Sequence, residues 1–420
     1  MLKKVTIENY RSCLSTSFEC DPHLSVLIGP NGSGKTNILQ AIMLLHKMAQ
    51  DEEQGRFEKS RLTVSSRIRA AFSMPNVKTQ LTAMVSVFTD ESNKDNVTAS
   101  RQKWTVIRGN KDRASFEAPL LAAAMFSGRT DVSRYFFPSG YHGYRHAREY
   151  RRQMLLFNEP EGLPKWASTA FVEAWRFCDG LRYYGASQFT SPSDCPVSFQ
   201  IEKEGEKRHL FRLGRHARIL YDMYETSKGP SHETWERFKS VIGPSGLRLI
   251  DDVTFKEVTT SSTDYSVRVG GRVEKRRRDQ LLVIPRFQIG KGRLSPNQLS
   301  EGTFKTVALL FYIMTEDSAA LLIEEPEVCI HHGLLSSVLE LIKKYSRDKQ
   351  IIVSTHSDYV LDHVKPGNVF RVSYDRLSGS VVRHIRKTMT AREYAALREY
   401  LDQQGNLGEY WREGGLEEFK

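Results

Sequence analysis

No two of the five cysteines form a C-x-x-C pair. Cys13, Cys20, Cys178, Cys195 and Cys329 are scattered along the chain, so neither a zinc site nor a disulfide framework is implied, and a reducing compartment fits. Long apolar runs are missing too. The longest, such as Thr306–Met314, are far too short to span a bilayer. Lys3 and Lys4 lead into alternating Val5-Thr6-Ile7-Glu8 rather than an apolar stretch, so no signal peptide is read and a cytoplasmic protein with no membrane partner is expected. There is no internal repeat, no heptad run long enough for an extended coiled coil, and no base-reading motif. Acidic charge is in the minority: 50 Asp and Glu against 61 Lys and Arg leave a net +11, which favours contact with a polyanion and says nothing about fold. The remaining composition, 40% apolar and 26% charged over 420 residues, is that of a globular protein with two or three cores, or of one large domain with an insertion.

Within this composition stands Gly29-Pro30-Asn31-Gly32-Ser33-Gly34-Lys35-Thr36, which fits the G-x-x-x-x-G-K-[ST] phosphate loop. Its flanks agree. Leu24–Ile28 reads as a buried strand, and Asn37–Leu45 carries apolar residues at helical spacing. The chemistry needs these residue types: glycines turn backbone N–H groups toward phosphates, a helix start adds positive dipole, and Lys35 places a charge near the terminal phosphates. The Thr36 hydroxyl is the expected Mg²⁺ ligand, and the loop is expected to bind a nucleoside triphosphate. Lys3–Glu8, Ser17–Glu19, Arg67–Phe72, Gln80–Phe88 and Lys103–Arg108 read as strands. Between Lys111 and Asp179 periodicity is weak.

Leu321-Leu322-Ile323-Glu324-Glu325-Pro326-Glu327 is an apolar strand emptying into carboxylates. Glu324 would hold Mg²⁺ through water and Glu325 would polarise the attacking water, because phosphoryl transfer is mostly positioning and charge stabilisation. Alone, this could be an acidic turn after a core strand. Two further motifs decide for function. Leu299-Ser300-Glu301-Gly302-Thr303-Phe304-Lys305 opens a helical apolar run with Ser300 and Gly302 at its anion-binding start. Ser354-Thr355-His356-Ser357 follows another buried strand, Gln350–Ser354, and places the His356 imidazole where it can reach a γ-phosphate. Gly333–Lys344 and Ala391–Gln404 read as helices.

Lys35 and Glu325 lie about 290 positions apart, far more than a compact hydrolase core needs. Order and spacing resemble the ABC-type ATPase heads of the SMC, RecF and OLD (overcoming lysogenisation defect) families over about residues 1–50 and 290–365. The resemblance implies an α/β P-loop head, with a mixed central sheet flanked by helices, an antiparallel β subdomain and a large inserted α+β domain. The expected division is 1–110, an insert at 111–280 from which strand 181–189 returns to the head, and 281–420. The resemblance also implies that ATP is sandwiched between two heads, with Ser300 and Gly302 of one copy facing the phosphate loop of the other. By the same token Arg11 reaches nucleotide phosphates, Gln188 touches the metal, Glu325 and His356 carry the hydrolysis, and Glu324 stands where Asp is commoner. Glu327–His332 looks like the E-P-E-x-x-x-H form of the OLD branch, which leaves His331 either near the dimer seam or capping a helix. About 55 residues follow the switch-histidine region around His356, which ends near residue 365, so the Toprim nuclease domain of full OLD proteins is not expected here.

Basic clusters fall mainly in the middle of the chain. Arg145, Arg148, Arg151 and Arg152 would share one helical face; Lys275, Arg276, Arg277 and Arg278 form a second group, and Lys207, Arg208, Arg212, Arg215 and Arg218 a third. Each is either a solvated face or a phosphate-tracking surface, and with the +11 total one polyanion surface, for DNA or an acidic phage protein, is expected. The first functional reading is a sensor ATPase that oligomerises around ATP and controls a separately encoded nuclease or toxin, as in antiphage systems resembling PARIS and Septu. The second is a RecF-like repair ATPase on DNA ends or junctions. A transporter subunit is disfavoured by the spacing of the motifs.

Overall fold

The computed structural model describes residues 1–50, 66–73, 81–90, 99–108, 112–119, 164–185, 192–202, 215–229, 232–267, 273–315, 318–328, 330–403 and 405–415. The amino-terminal elements are β1 (Leu2–Tyr10), β2 (Cys13–Glu19), β3 (Leu24–Ile28), α1 (Lys35–Gln50), β4 (Arg67–Ser73), β5 (Leu81–Asp90), β6 (Ala99–Arg108) and β7 (Asp112–Pro119). Next come α2 (Lys165–Asp179), β8 (Leu181–Gly185), β9 (Phe199–Glu202), α3 (Arg215–Lys228), α4 (His232–Ile242), β10 (Asp252–Val267), β11 (Val273–Ile289) and β12 (Gly292–Leu294). The rest is α5 (Glu301–Met314), β13 (Ala320–Glu324), α6 (His332–Tyr345), β14 (Gln350–Thr355), α7 (Asp358–Asp362), β15 (Val369–Asp375), β16 (Gly379–His384), α8 (Ile385–Thr388), α9 (Ala391–Asp402) and α10 (Leu407–Arg412).

The central sheet runs β16-β15-β3-β14-β13-β8. Its strands are parallel except for the β15–β16 hairpin. Continuous apolar runs form β3, β13 and β14 because both faces of the sheet are covered. Leu24, Val26, Leu321, Ile323, Ile351 and Val353 face the core shared with α3, α4, α5 and α6. The alternate residues Leu27, Leu322 and Ile352 face a second core shared with α1, α2 and the antiparallel strands. Those strands form a sheet ordered β2-β1-β4-β5-β6-β7. Helix α2 is pinned to it by edge-on aromatic pairs, Trp104 with Phe171 at 4.8 Å and Phe72 with Phe177 at 5.6 Å, each worth about 0.5–1.5 kcal/mol beyond area burial. The architecture is the α/β one expected of an ABC-type P-loop head, a mixed sheet between helices with an antiparallel β layer beside it.

Three parts differ from the sequence reading. Strand β7 lies where periodicity is weak. The β15–β16 hairpin fills a stretch assigned no element. The stretch just before β11 is one long strand, β10, paired with β11 from Asp252↔Gln288 to Val267↔Val273. Beyond Val253 and Phe255, which pack into the core, its Thr- and Ser-rich sequence offers no clear apolar alternation, so backbone pairing defines the rest of the ribbon. Within the stretch 111–280, β8 joins the central sheet against β13, and α3 and α4 join the same core as α5.

One buried amide ties the two sheets together. Gln350, at the start of β14, donates from Nε2 to Leu2 O (2.8 Å) and Asp21 O (2.7 Å), and its Oε1 accepts from Leu2 N at 3.0 Å. Replacing it with Leu strands the Leu2 N–H and C=O away from water and takes a donor from the part-buried Asp21 O. A loss of roughly 2–3 kcal/mol is expected, since each unsatisfied buried group costs on the order of 1–3 kcal/mol. Denaturant unfolding of Gln350→Leu would measure it; a midpoint equal to the parent's would refute it.

Candidate nucleotide site

The phosphate loop connects the end of β3 to α1, at the carboxyl edge of the central sheet. Gly34 sits at φ +99°, and a Cβ there would lie 1.9 Å from Ser380 Oγ and 2.5 Å from Ser12 Oγ. Only glycine supplies both the left-handed backbone and the room. Ser33 Oγ is buried in the loop and finds no hydrogen-bond partner among the described residues. Lys35, 6% exposed, turns its ammonium back on the loop, donating to Gly29 O (2.8 Å) and Pro30 O (3.0 Å). Burial lowers its pKa from the ordinary lysine value, and Glu325, Glu327 and Glu324 pull it back upward. An amine held on two carbonyls beside an orphan hydroxyl is a cradle suited to phosphate oxygens.

Arg11 lies in the turn between β1 and β2 with φ +52°. It donates to Asn37 Oδ1 (3.0 Å) and Gln40 Oε1 (2.5 Å) in α1, next to the loop. Asn37 in turn donates to Ser12 Oγ at 2.7 Å, and Ser380 Oγ donates to the same atom at 2.8 Å. The turn, the loop helix and β16 are therefore one polar network.

Parallel pairing of β13 with β14 and β8 delivers the carboxylates to the same edge. Glu324 accepts from the Thr36 hydroxyl through Oε1 and from the Tyr183 phenol through Oε2. Among the described residues there is no group of three or more His, Cys, Asp and Glu side chains able to hold a metal ion. A Thr hydroxyl beside a carboxylate is nonetheless a hard-oxygen pair of the kind Mg²⁺ takes, with phosphate and water completing the shell.

Glu325 stands at φ +49°, a left-handed position that costs a non-glycine residue on the order of 1–3 kcal/mol. Its amide is fixed by Ser354 O at 2.8 Å. Its Oε1 lies 3.2 Å from Nδ1 of His356, which follows β14. Glu327 braces that histidine: its Oε1 accepts from Thr355 Oγ1 (2.7 Å) and His356 N (3.3 Å), while its Oε2 is buried with no hydrogen-bond partner among the described residues. Burial raises the Glu327 pKa above the usual carboxylate value.

Ser300 caps α5, accepting from Thr303 N at 3.2 Å, and Gly302 O accepts from Thr306 Oγ1 at 2.7 Å. Ser300 is exposed, and no contact joins it to the phosphate loop of its own chain among the described residues. His331 caps α6 through Gly333 N, the second of its two expected roles. Gln188, the Arg145, Arg148, Arg151 and Arg152 group, and Lys207, Arg208 and Arg212 lie outside the described residues. Lys275–Arg278 belong to β11, opposite Ser262–Tyr265, and Arg218 pairs with Asp222 at 3.2 Å. Tyr183 was absent from the sequence reading. No motif marks it, and only the β8–β13 register brings it to Glu324.

Residues 1–112 match the family described as AAA ATPase domain, and residues 266–362 match AAA domain, putative AbiEii toxin, Type IV TA system. Among curated proteins, the DNA replication and repair protein RecF of Staphylococcus haemolyticus is 41% identical over 61 residues, covering 13% of this chain and 16% of RecF. The DNA double-strand break repair Rad50 ATPase of Methanopyrus kandleri is 52% identical over 44 residues, 10% of this chain and 5% of Rad50. The chain thus spans less than a fifth of the length of either relative. Among solved structures, the SMC head domain from Thermotoga maritima aligns over 91% of this chain and 98% of that one, with 14% identity and a TM-score of 0.36. Two separate stretches of the chain thus match AAA-type ATPase domains, with local similarity to RecF and Rad50, and the fold brings them together where Thr36 meets Glu324.

Proposed function

We propose that this chain binds and hydrolyses ATP at a site completed by a second copy, and that it works as the sensor or regulatory subunit of a bacterial antiviral defence system, controlling a separate nuclease or toxin. The observation that carries the ATPase reading is the contact of Thr36, in the phosphate loop, with Glu324 at the end of the acidic strand. Lys35 and Arg11 bind phosphate. Thr36 and Glu324, with Gln188, hold Mg²⁺; bound there, the ion neutralises charge on the terminal phosphates. Glu325 accepts a proton from the attacking water, and His356 holds Glu325 in place and reaches toward the γ-phosphate. The exposed start of α5 supports a role in trans for Ser300 and Gly302, since a helix start turns its backbone N–H groups and positive dipole end toward an anion. The toxin-system description of the family matched by residues 266–362 supports the regulatory reading.

Complementation tests the shared site. Ser300→Arg should abolish ATP-dependent dimerisation and most turnover while leaving ATP binding within about threefold. Mixing it with Lys35→Ala should restore part of the activity, because the mixed dimer keeps one complete site. Failure of every mixture to recover turnover would exclude a shared site. The similarity to RecF and Rad50 favours a second reading, a repair ATPase that binds DNA ends or junctions. Adding duplex DNA to the same assay separates the two: stimulation dependent on Arg145–Arg152 supports repair, and indifference to DNA supports the regulatory reading.

A further inference from the structure

Tyr183 and Tyr184 are neighbours on β8, so their side chains leave opposite faces of the sheet. Tyr184 is 1% exposed, and its hydroxyl donates to Lys305 O at 3.0 Å, inside the core under α5. Tyr183 faces the other way and ends on the Glu324 carboxylate. The register explains how it gets there. Tyr183 lies opposite Leu322 and Gly185 opposite Glu324, so the phenol must run two residues along the strand to reach its acceptor. It can do so because position 185 has no side chain. A Cβ on Gly185 would stand 3.1 Å from the Tyr183 hydroxyl and 3.2 Å from Glu324 Oε2, closer than side chains ordinarily pack.

The two oxygens of Glu324 therefore each carry one hydroxyl donor, Thr36 on Oε1 and Tyr183 on Oε2. These donors are not equivalent. The Thr36 hydroxyl is itself a prospective metal ligand, able to offer a lone pair to a cation while its proton stays on Oε1. The phenol lies on the far oxygen and can keep its hold. We propose that Tyr183 is a positioning residue of the nucleotide site, its phenol holding the Glu324 carboxylate in the orientation that a divalent cation beside Thr36 requires. The inference rests on the ATPase reading above and adds to it a residue outside every motif.

The test is a Mg²⁺ titration of nucleotide binding, made in the full chain carrying Glu325→Gln so that no turnover intervenes. Fluorescence of a methylanthraniloyl ATP is followed as MgCl₂ is added. Tyr183→Phe should raise the half-saturating Mg²⁺ concentration roughly tenfold, in the range that loss of a bond to a metal ligand costs. Binding measured in EDTA should stay unchanged. Tyr184→Phe removes the same atom from the other face of the same strand and should leave the Mg²⁺ midpoint where it was. An unshifted midpoint in Tyr183→Phe, or an equal shift in Tyr184→Phe, would overturn the proposal while leaving the ATPase reading intact. Absence of ATP binding in the Tyr183-containing protein would overturn that reading and this inference with it.

Discussion

Lys35→Ala is expected to weaken ATP binding on the order of 10²–10³-fold and to eliminate turnover at ordinary nucleotide concentrations. Lys35 is 6% exposed, and its ammonium is held by two loop carbonyls. A triphosphate can therefore recruit it without the full desolvation cost that an exposed lysine would incur. Truncating one partner of such a buried charge contact costs roughly 2–5 kcal/mol, which spans the stated range at about 1.4 kcal/mol per tenfold. Titration calorimetry with a non-hydrolysable ATP analogue reads the effect directly. Stability should change far less than affinity, because the Lys35 ammonium closes the loop only locally. A Kd within threefold of the parent's would show that the loop does not grip phosphate through this residue.

Glu325→Gln is expected to separate binding from chemistry. Loss of a positioned general base typically lowers rate by roughly 10²–10⁴-fold, while the amide keeps the shape of the side chain. Binding should be retained or slightly tightened, since a negative group near the terminal phosphate is removed. The dimer held by ATP should then accumulate and be visible by size-exclusion chromatography with Mg²⁺ and ATP, whereas the parent drains it by hydrolysis. Glu325 earns this assignment over Glu327 by geometry. Glu325 is strained into the left-handed region and meets His356 at 3.2 Å, while Glu327 spends one oxygen on Thr355 and the His356 backbone. Undiminished turnover in Glu325→Gln would move the role to Glu327 or to a residue of the partner copy.

How far these features can be read without coordinates depends on how local their cause is. The phosphate loop, its flanking strand and helix, and the buried strands Leu321–Ile323 and Gln350–Ser354 follow from runs of a few residues. Glycine conformations, continuous apolar strands and helical periodicity are all set by near neighbours. The long β10–β11 ribbon escapes such reading because, beyond Val253 and Phe255 at its base, its Thr- and Ser-rich strand is defined by cross-strand pairing. His331 illustrates a different case: both of its expected roles suit the residue type, and the φ and ψ of the α6 start select capping within the single chain.

The order of motifs from Gly29 to His356 already implied a nucleotide site, because each motif carries its own chemistry in a short span. It could not imply that Tyr183 closes on Glu324, that Gly185 is bare to let it pass, or that Gln350 ties β14 to Leu2 across almost the whole chain. Those contacts depend on strand register between segments far apart in sequence. A shift of one residue would send every side chain on β8 to the opposite face, so only the assembled sheet could decide them.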